Sequence, residues 1–279
     1  MRVVWQLLAV VAVWAISGQC VSAVDGNPWL TLVLGLVTAV LAVLVYGWVV
    51  GRTERRPVTE LGREGAAGAV GRGVLMGLGL FCAVIANIAF LGDYEVDGLG
   101  SVTGAVGLVG FMAAAAATEE VVFRGVLFRI IEERAGTLIS LTLTGVLFGL
   151  MHLANPEASL WGAIAIAIEA GGMLAAAYAA TRNLWVPIGV HFGWNFAAAG
   201  IFSTEVSGND TPKGLLDSTA SGSQLVTGGD FGPEASVYAV LFGALLTLAF
   251  LWLAHRRGNL VPRRGRRTAQ AEAATTVPR

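Results

Sequence analysis

The run SVTGAVGLVGFMAAAAATEEVVFRG, residues 101–125, decides how the rest of the chain is read. From Ser101 to Ala117 it carries no charge and few polar groups, as expected of a helix that crosses a bilayer, which needs about 20 consecutive apolar residues. It then runs directly into Glu119, Glu120 and Arg124. Ionisable groups at membrane depth are costly and persist mostly where they face a protected polar cavity. One stretch therefore points both to a helical membrane fold and to a site inside it.

The composition agrees. The chain has 279 residues, 55% hydrophobic and 13% charged, with a mean hydropathy of +0.70, whereas soluble domains carry about 25% charged residues. Apolar segments recur from end to end, near 3–24, 29–50, 73–92, 101–121, 137–154, 159–181, 184–203 and 235–254. These predict an all-α polytopic membrane bundle of about eight transmembrane helices around a polar intramembrane cavity. Residues 1–255 read as a single transmembrane domain with a motif-bearing core at about 100–200. Residues 256–279 read as a basic, disordered cytoplasmic tail. The Gly-, Ser-, Thr- and Asp-rich stretch 204–233 reads as a flexible external loop.

The connections alternate in charge. Arg52, Arg55, Arg56, Arg63 and Arg72 follow the second segment; Arg124, Arg129 and Arg134 follow the fourth; Arg182 follows the sixth; Arg256, Arg257, Arg263, Arg264, Arg266 and Arg267 follow the last. The other connections carry Asp25, Asp93, Glu95, Asp97, Glu157, Glu205, Asp210, Asp217, Asp230 and Glu234, and only Lys213 breaks the pattern. Arginine and lysine concentrate on the cytoplasmic side of membrane proteins, so both termini are expected in the cytoplasm. The preference for Arg over Lys suggests a GC-rich bacterial genome and hence a bacterial plasma membrane. The first segment also permits a signal-peptide reading, with a small-residue cleavage site at Val21-Ser22-Ala23. Basic residues all sit beside membrane segments, where topology accounts for them, and no nucleic-acid signature is present. Cys20 and Cys82 lie in apolar stretches without disulfide or metal spacing and read as small packing residues.

Polar side chains inside the segments carry the chemistry. On a helix Glu120 and Arg124 share a face and can pair, while Glu119 is turned about 100° away. Glu120 thus reads as an orienting charge and Glu119 as a free carboxylate, whose burial suits a general base. The bland reading of both acids is a polar cap on the end of the fourth segment. Phe148 and His152 lie four apart, as do His191 and Asn195. A histidine beside a carboxamide supplies donors of the kind a developing oxyanion needs, although the pair can equally bond to each other and lock two helices. Glu169, three residues before Gly172, has no evident partner and ranks second. His255 lies in the basic stretch beyond the last segment and reads as a solvated interface residue. A base, a histidine able to hold water and an oxyanion pair together suggest a hydrolase. No Ser or Cys stands beside them as a covalent nucleophile.

The ordered motifs Glu-Glu-x-x-x-Arg at Glu119–Arg124, Phe-x-x-x-His at Phe148–His152 and His-x-x-x-Asn at His191–Asn195 resemble those of the CAAX-protease and bacteriocin-processing family of intramembrane endopeptidases, called CPBP or Abi. The lead-in Thr181–Ile188 is also similar, and residues 52–90 are so more loosely. The resemblance implies that Glu119 and His152 activate a water and that His191 and Asn195 hold the oxyanion, with Glu120, Arg124 and Phe148 supporting them. It leaves metal use open: Glu119, His152 and His191 are candidate zinc ligands. A metal-free, glutamate-activated water is the favoured expectation, since no His-Glu-x-x-His helix is present.

The expected substrate is a membrane-bound or lipidated peptide cleaved near the cytoplasmic face, with the lipid bilayer the other partner. Two alternatives use the same residues. One is a non-catalytic immunity or scaffold protein of the same fold. The other is a transporter with a proton relay, which calls for duplicated halves that the sequence does not show. One conflict remains at this level. The expected boundaries put Glu119 at the cytoplasmic end of its helix and His152 at the outer end of the next, too far apart in depth to share a site.

Overall fold

A computed structural model describes residues 2–24 and 26–263. The segment 264–279, which holds most of the expected disordered tail, and Asp25 lie outside the described residues. The helices are α1 (Arg2–Ser22), α2 (Pro28–Glu54), α3 (Ala66–Phe90), α4 (Val102–Glu120), α5 (Arg129–Ala135), α6 (Thr137–Met151), α7 (Leu160–Ile166), α8 (Met173–Thr181), α9 (Trp185–Asn195), α10 (Gln224–Thr227) and α11 (Val237–Arg256). Asn27 caps α2, Ser101 caps α4, Ser159 caps α7 and Ser236 caps α11, each with its side-chain oxygen accepting from a backbone N–H of the first turn, the usual means of satisfying those donors.

Among the described residues, seven helical runs are long and apolar enough to cross a membrane: 2–20, 28–54, 66–90, 102–135, 137–154, 160–181 and 237–256. The remaining expected segment, 184–203, is α9 followed by a wider π turn at Phe196–Ile201. It is buried over most of its length inside the bundle. The chain is therefore an all-α integral membrane protein.

The fourth segment departs from expectation. It does not end at residue 121 but runs for 34 residues, Val102–Ala135, about 50 Å at 1.5 Å per residue. Arg124 and Arg129, assigned from the sequence to a cytoplasmic loop, are helical. Arg124 pairs with Glu120 at 2.7 Å, and Arg129 donates to both oxygens of Glu54 at 2.7 Å. Paired charges can be carried inside a helix bundle, and a count of charges along the chain cannot see the partners. Gly136 then reverses the chain with φ 86°, a conformation that glycine adopts without steric cost. Glu120 and His152 lie equally far from that turn along the two arms, so α6 returns His152 to the level of Glu120. The Phe123 and Phe148 rings meet edge to face at 4.9 Å across the same hairpin. This removes the depth conflict.

Three helical stretches widen into π turns: Val121–Phe128, Ala167–Gly172 and Phe196–Ile201. They immediately follow Glu120, enclose Glu169 and immediately follow Asn195. A π turn interrupts the i→i−4 ladder and is common beside functional groups. It leaves carbonyls open to other donors, and here cations and hydroxyls take them. Gly125 O accepts from Tyr46 Oη at 3.0 Å and from Arg129 Nε at 2.9 Å.

The two ends of the bundle are tied by different chemistry. At the arginine-bearing end, Glu54 joins Gln6, Arg56 and Arg129, Arg182 joins Glu132, and Leu184 N donates to Glu60 O at 2.9 Å. Glu60 is buried, which by itself would raise its carboxyl. Hydrogen bonds from Arg56 and Tyr46 prevail and hold it below the usual range. At the opposite end, β1 (Tyr94–Leu99) pairs antiparallel with β2 (Leu216–Ala220). The stretch 204–233, expected to be a structureless loop, instead contains β2, α10 and a short 3-10 turn. It packs on the connection after α6 through Glu157 N→Gly208 O at 3.0 Å and is closed on itself by Gly208 N→Phe231 O at 2.9 Å. Its strand was illegible because its hydrogen-bonding partner lies far back in the chain, before α4.

Candidate active site

The third motif is placed by glycine. Gly73 and Gly77 of α3 face Gly189 and Gly193 of α9. A Cβ on Gly77 would sit 2.1 Å from Val190 O, and one on Gly193 would sit 2.3 Å from Val74 O. Only bare backbone permits this approach, which is how small-residue pairs four apart bring membrane helices together. The contact fixes the rotation of α9, and with it the direction in which His191 and Asn195 project.

Arg124 and Glu120 lie beneath the site, both almost wholly buried. Glu120 Oε1 accepts from Arg124 Nη1 at 2.7 Å and from His191 Nδ1 at 2.9 Å. Arg124 Nη2 also donates to the carbonyls of Ala170 and Gly171, at 3.0 and 3.2 Å, in the second π turn. Its guanidinium lies over the Phe148 ring, 4.8 Å from the centroid, an arrangement worth about 2 kcal/mol when desolvated. One ion pair thus joins the fourth span, α6 and α9 through their motif residues, and the second π turn through two of its carbonyls.

Glu119 projects elsewhere, as the helical-face argument expected. It makes no hydrogen bond among the described residues, and its Oε2 is buried without a partner. The nearest cationic group is His191 Nε2, 3.9 Å away. His152 closes the site at the end of α6. Its Nδ1 lies 2.7 Å from Phe148 O. A carbonyl only accepts, so Nδ1 carries the proton and the neutral ring keeps its lone pair on Nε2. Asn195, 7% exposed, makes no side-chain hydrogen bond among the described residues.

Glu119, His152, His191 and Asn195 all line one cavity of about 410 Å³. Phe111, Met112 and Met151 contribute apolar wall, and Val206, Ser207, Asn209 and Asp210 also line the cavity. These last four belong to the connection that follows α9, at the end of the bundle opposite the arginine-bearing loops. Glu169 does not belong to this cavity. It is fully buried in its π turn, with both oxygens unpartnered and its backbone packed on Gly243. Among the described residues no three of His, Cys, Asp and Glu converge closely enough to hold a metal ion. As placed, the candidate ligands Glu119, His152 and His191 do not fit one.

Two residues were missed from the sequence. Glu234, fully buried, accepts from Trp194 Nε1 at 2.9 Å and from Ser207 Oγ at 2.8 Å. Burial pushes its carboxyl up, and the bonds from Ser207 and Trp194 offset only part of this. Asn155 Nδ2 donates to Ser207 O at 2.6 Å. Together they hold the segment around Ser207 between the ends of α6 and α9. Asn155 lies three residues after His152, a spacing that offered some signal. Glu234 was read only as one of the acids of the connection before the last segment, and nothing in its neighbours marked it.

No curated protein and no solved structure matches the chain. Residues 101–197, the stretch that carries all three motifs, match the family described as type II CAAX prenyl endopeptidase Rce1-like.

Proposed function

We propose that the protein is an intramembrane endopeptidase that cleaves a membrane-associated peptide with a water activated by Glu119 and His152. One observation carries this reading: four polar groups from three separate helical runs line one cavity, and among the described residues the Glu119 carboxylate and Asn195 carboxamide in it make no hydrogen bond. Unengaged polar groups inside a membrane bundle are costly, and substrate would engage them. The cavity is of the size that takes a short stretch of ligand.

In this mechanism the water sits between Glu119 and His152 Nε2. Glu119 takes a proton as the water oxygen attacks the scissile carbonyl carbon, a step for which a positioned base contributes about 10²–10⁴-fold. The carbonyl π electrons move to oxygen, and Asn195 Nδ2–H donates to the resulting oxyanion. His191 donates from Nε2 when the ring carries its second proton, because its Nδ1–H is committed to Glu120, and Glu120 stabilises that cation. Collapse of the intermediate breaks the C–N bond, and Glu119 returns the proton to the leaving amine. Glu120 and Arg124 touch no reacting atom and act as positioning residues. The match to the CAAX prenyl endopeptidase family supports a peptide bond as the target.

The test is cleavage of membrane-associated and lipidated peptides by purified protein in liposomes, wild type against Glu119→Gln, with and without chelator. Cleavage by wild type alone, unaffected by chelator, is expected. Loss of cleavage with chelator would replace the bare carboxylate by a metal centre. Equal behaviour of the two proteins in this assay and in cells would favour the binding or immunity reading.

A further inference from the structure

The ion pair of Arg124 and Glu120 reaches His191 and the Phe148 ring, but it bonds to neither His152 nor Asn195. A second set of bonds joins α6 to α9, and it is made by residues that no motif specifies. Its centre is Glu234, in the short 3-10 turn Pro233–Ala235 that leads into α11. Glu234 Oε1 accepts from Trp194 Nε1, and Oε2 accepts from both the N–H and the hydroxyl of Ser207. The Ser207 carbonyl in turn accepts from Asn155 Nδ2. Trp194 is the residue before Asn195, and Ser207 and Asn155 line the cavity beside His152. His152 itself lies within electrostatic reach of the Glu234 carboxyl.

Both arms of this bridge are stiff. Ser207 and Gly208 have φ of 55° and 75°, and Val206 and Asn209 bridge across them, as in a two-residue turn with both central residues at positive φ. Glycine takes that conformation freely, serine at a cost. It persists where the surroundings over-determine it, and here two bonds to Glu234 and one from Asn155 do so. On the other arm, the buried Trp194 ring meets Phe81 of α3 edge to face at 5.2 Å. A shift at Glu234 is therefore passed to α9 rather than absorbed by the ring.

The bridge calls for a carboxylate. A carboxylate offers an acceptor on each side, whereas a carboxamide has one oxygen. In either orientation of an amide, its NH2 would face an N–H, that of Trp194 or that of Ser207.

We propose that Glu234 is a positioning residue of the catalytic cavity: through Trp194 and Ser207 it sets Asn195 against His152 and holds the Val206–Asn209 turn as wall for the substrate peptide. This rests on the endopeptidase reading for its effect on turnover, but not for its effect on geometry.

Glu234→Gln tests it. The kcat for peptide cleavage is expected to fall about 10–10²-fold, the scale of a displacement of about 1 Å near the reacting groups, with KM little changed. In an Asn195→Ala background the same substitution should cost no more than about twofold, because residues that act as one unit are not additive. Recurrence of the full loss in that background overturns positioning through Asn195. Trp194→Phe, which keeps a ring against Phe81 but donates nothing, should show the same dependence on Asn195. Hydrogen exchange of the full chain in nanodiscs reads the geometry without turnover. Glu234→Gln should speed exchange both at 205–209 and at 196–201, the π turn after Asn195. Faster exchange at 205–209 alone would mean that Glu234 secures only its own turn, and it overturns the proposal. If Glu234→Gln does not fold, Ser207→Ala, which removes only the hydroxyl donor, carries the same two measurements. Failure of the endopeptidase reading would look different: wild type would cut no peptide, while the two segments would still loosen together.

Discussion

Glu119 and Glu120 are chemically identical neighbours with opposite assignments, so their isosteric amides separate catalysis from architecture. Glu120→Gln removes a buried charge that accepts two charge-assisted hydrogen bonds, at 2.7 Å from Arg124 and 2.9 Å from His191. Such bonds contribute about 1.5–3 kcal/mol each. Breaking one side of a buried pair costs about 3–5 kcal/mol, since the remaining ion is left uncompensated. For a chain of this size the expected loss in melting temperature is on the order of 10 °C. Glu119→Gln breaks no protein hydrogen bond, because Glu119 makes none, and its stability should stay within about 0.5 kcal/mol of wild type. Its cleavage rate should fall about 10²–10⁴-fold. Thermal unfolding in detergent, followed by intrinsic tryptophan fluorescence, reads the first quantity, and peptide cleavage reads the second. The double variant Glu120→Leu/Arg124→Met should melt above Glu120→Gln, because removing both charges leaves neither stranded. If Glu119→Gln melts as low as Glu120→Gln, or Glu120→Gln melts with wild type, the division of roles is wrong.

Other outcomes follow from the same geometry. Asn195→Ala should lower kcat by about 10²–10³, the usual cost of one oxyanion donor, with little change in KM or melting temperature; a change confined to KM would remove Asn195 from that role. Gly193→Ala places a Cβ 2.3 Å from Val74 O, and overpacking of this kind costs about 1–3 kcal/mol. It should also impair cleavage by displacing His191, whereas Gly79→Ala, whose Cβ would meet nothing within 4 Å, should do neither. Glu234→Ala strands Trp194 Nε1–H and the Ser207 hydroxyl, at about 1–3 kcal/mol, and should speed hydrogen exchange at Ser207 and Asn209. Glu60 has a folded-state carboxyl below its ordinary value of 4.5. Its contribution is therefore present above that value and lost as pH falls below it toward the folded-state value; Glu60→Gln should flatten that acid limb of a stability profile, and an unchanged limb would refute the assignment.

The motif residues were legible in the sequence because local helical spacing governs them. Four-residue separations put Glu120 beneath Arg124, turned Glu119 away and projected His191 with Asn195, and no tertiary contact was needed to see it. Boundaries fared worse where charges were involved. Arg124 and Arg129 looked like a loop because arginine inside a helix bundle is costly; spacing offered Glu120 to Arg124, but Glu54, which offsets the cost of Arg129, is recognised as its partner only once the helices pack. Likewise Glu234 was one more acid of a connection until Trp194 and Ser207 were found on it.

Hydropathy alone established a polytopic helical membrane protein, since uninterrupted apolar runs of about 20 residues span a bilayer as helices, whereas spanning strands are half that length and alternate apolar with polar residues. Motif order established which side chains share helix faces. Tertiary structure alone decided that the fourth helix continues to Ala135, that the turn at Gly136 returns His152 to the depth of Glu120, and that the connection after α9 joins the lining of the cavity. Each of these depends on pairing between residues distant in the chain, by ion pair, hairpin symmetry or bare-glycine contact, and periodicity along one helix carries no information about its neighbour.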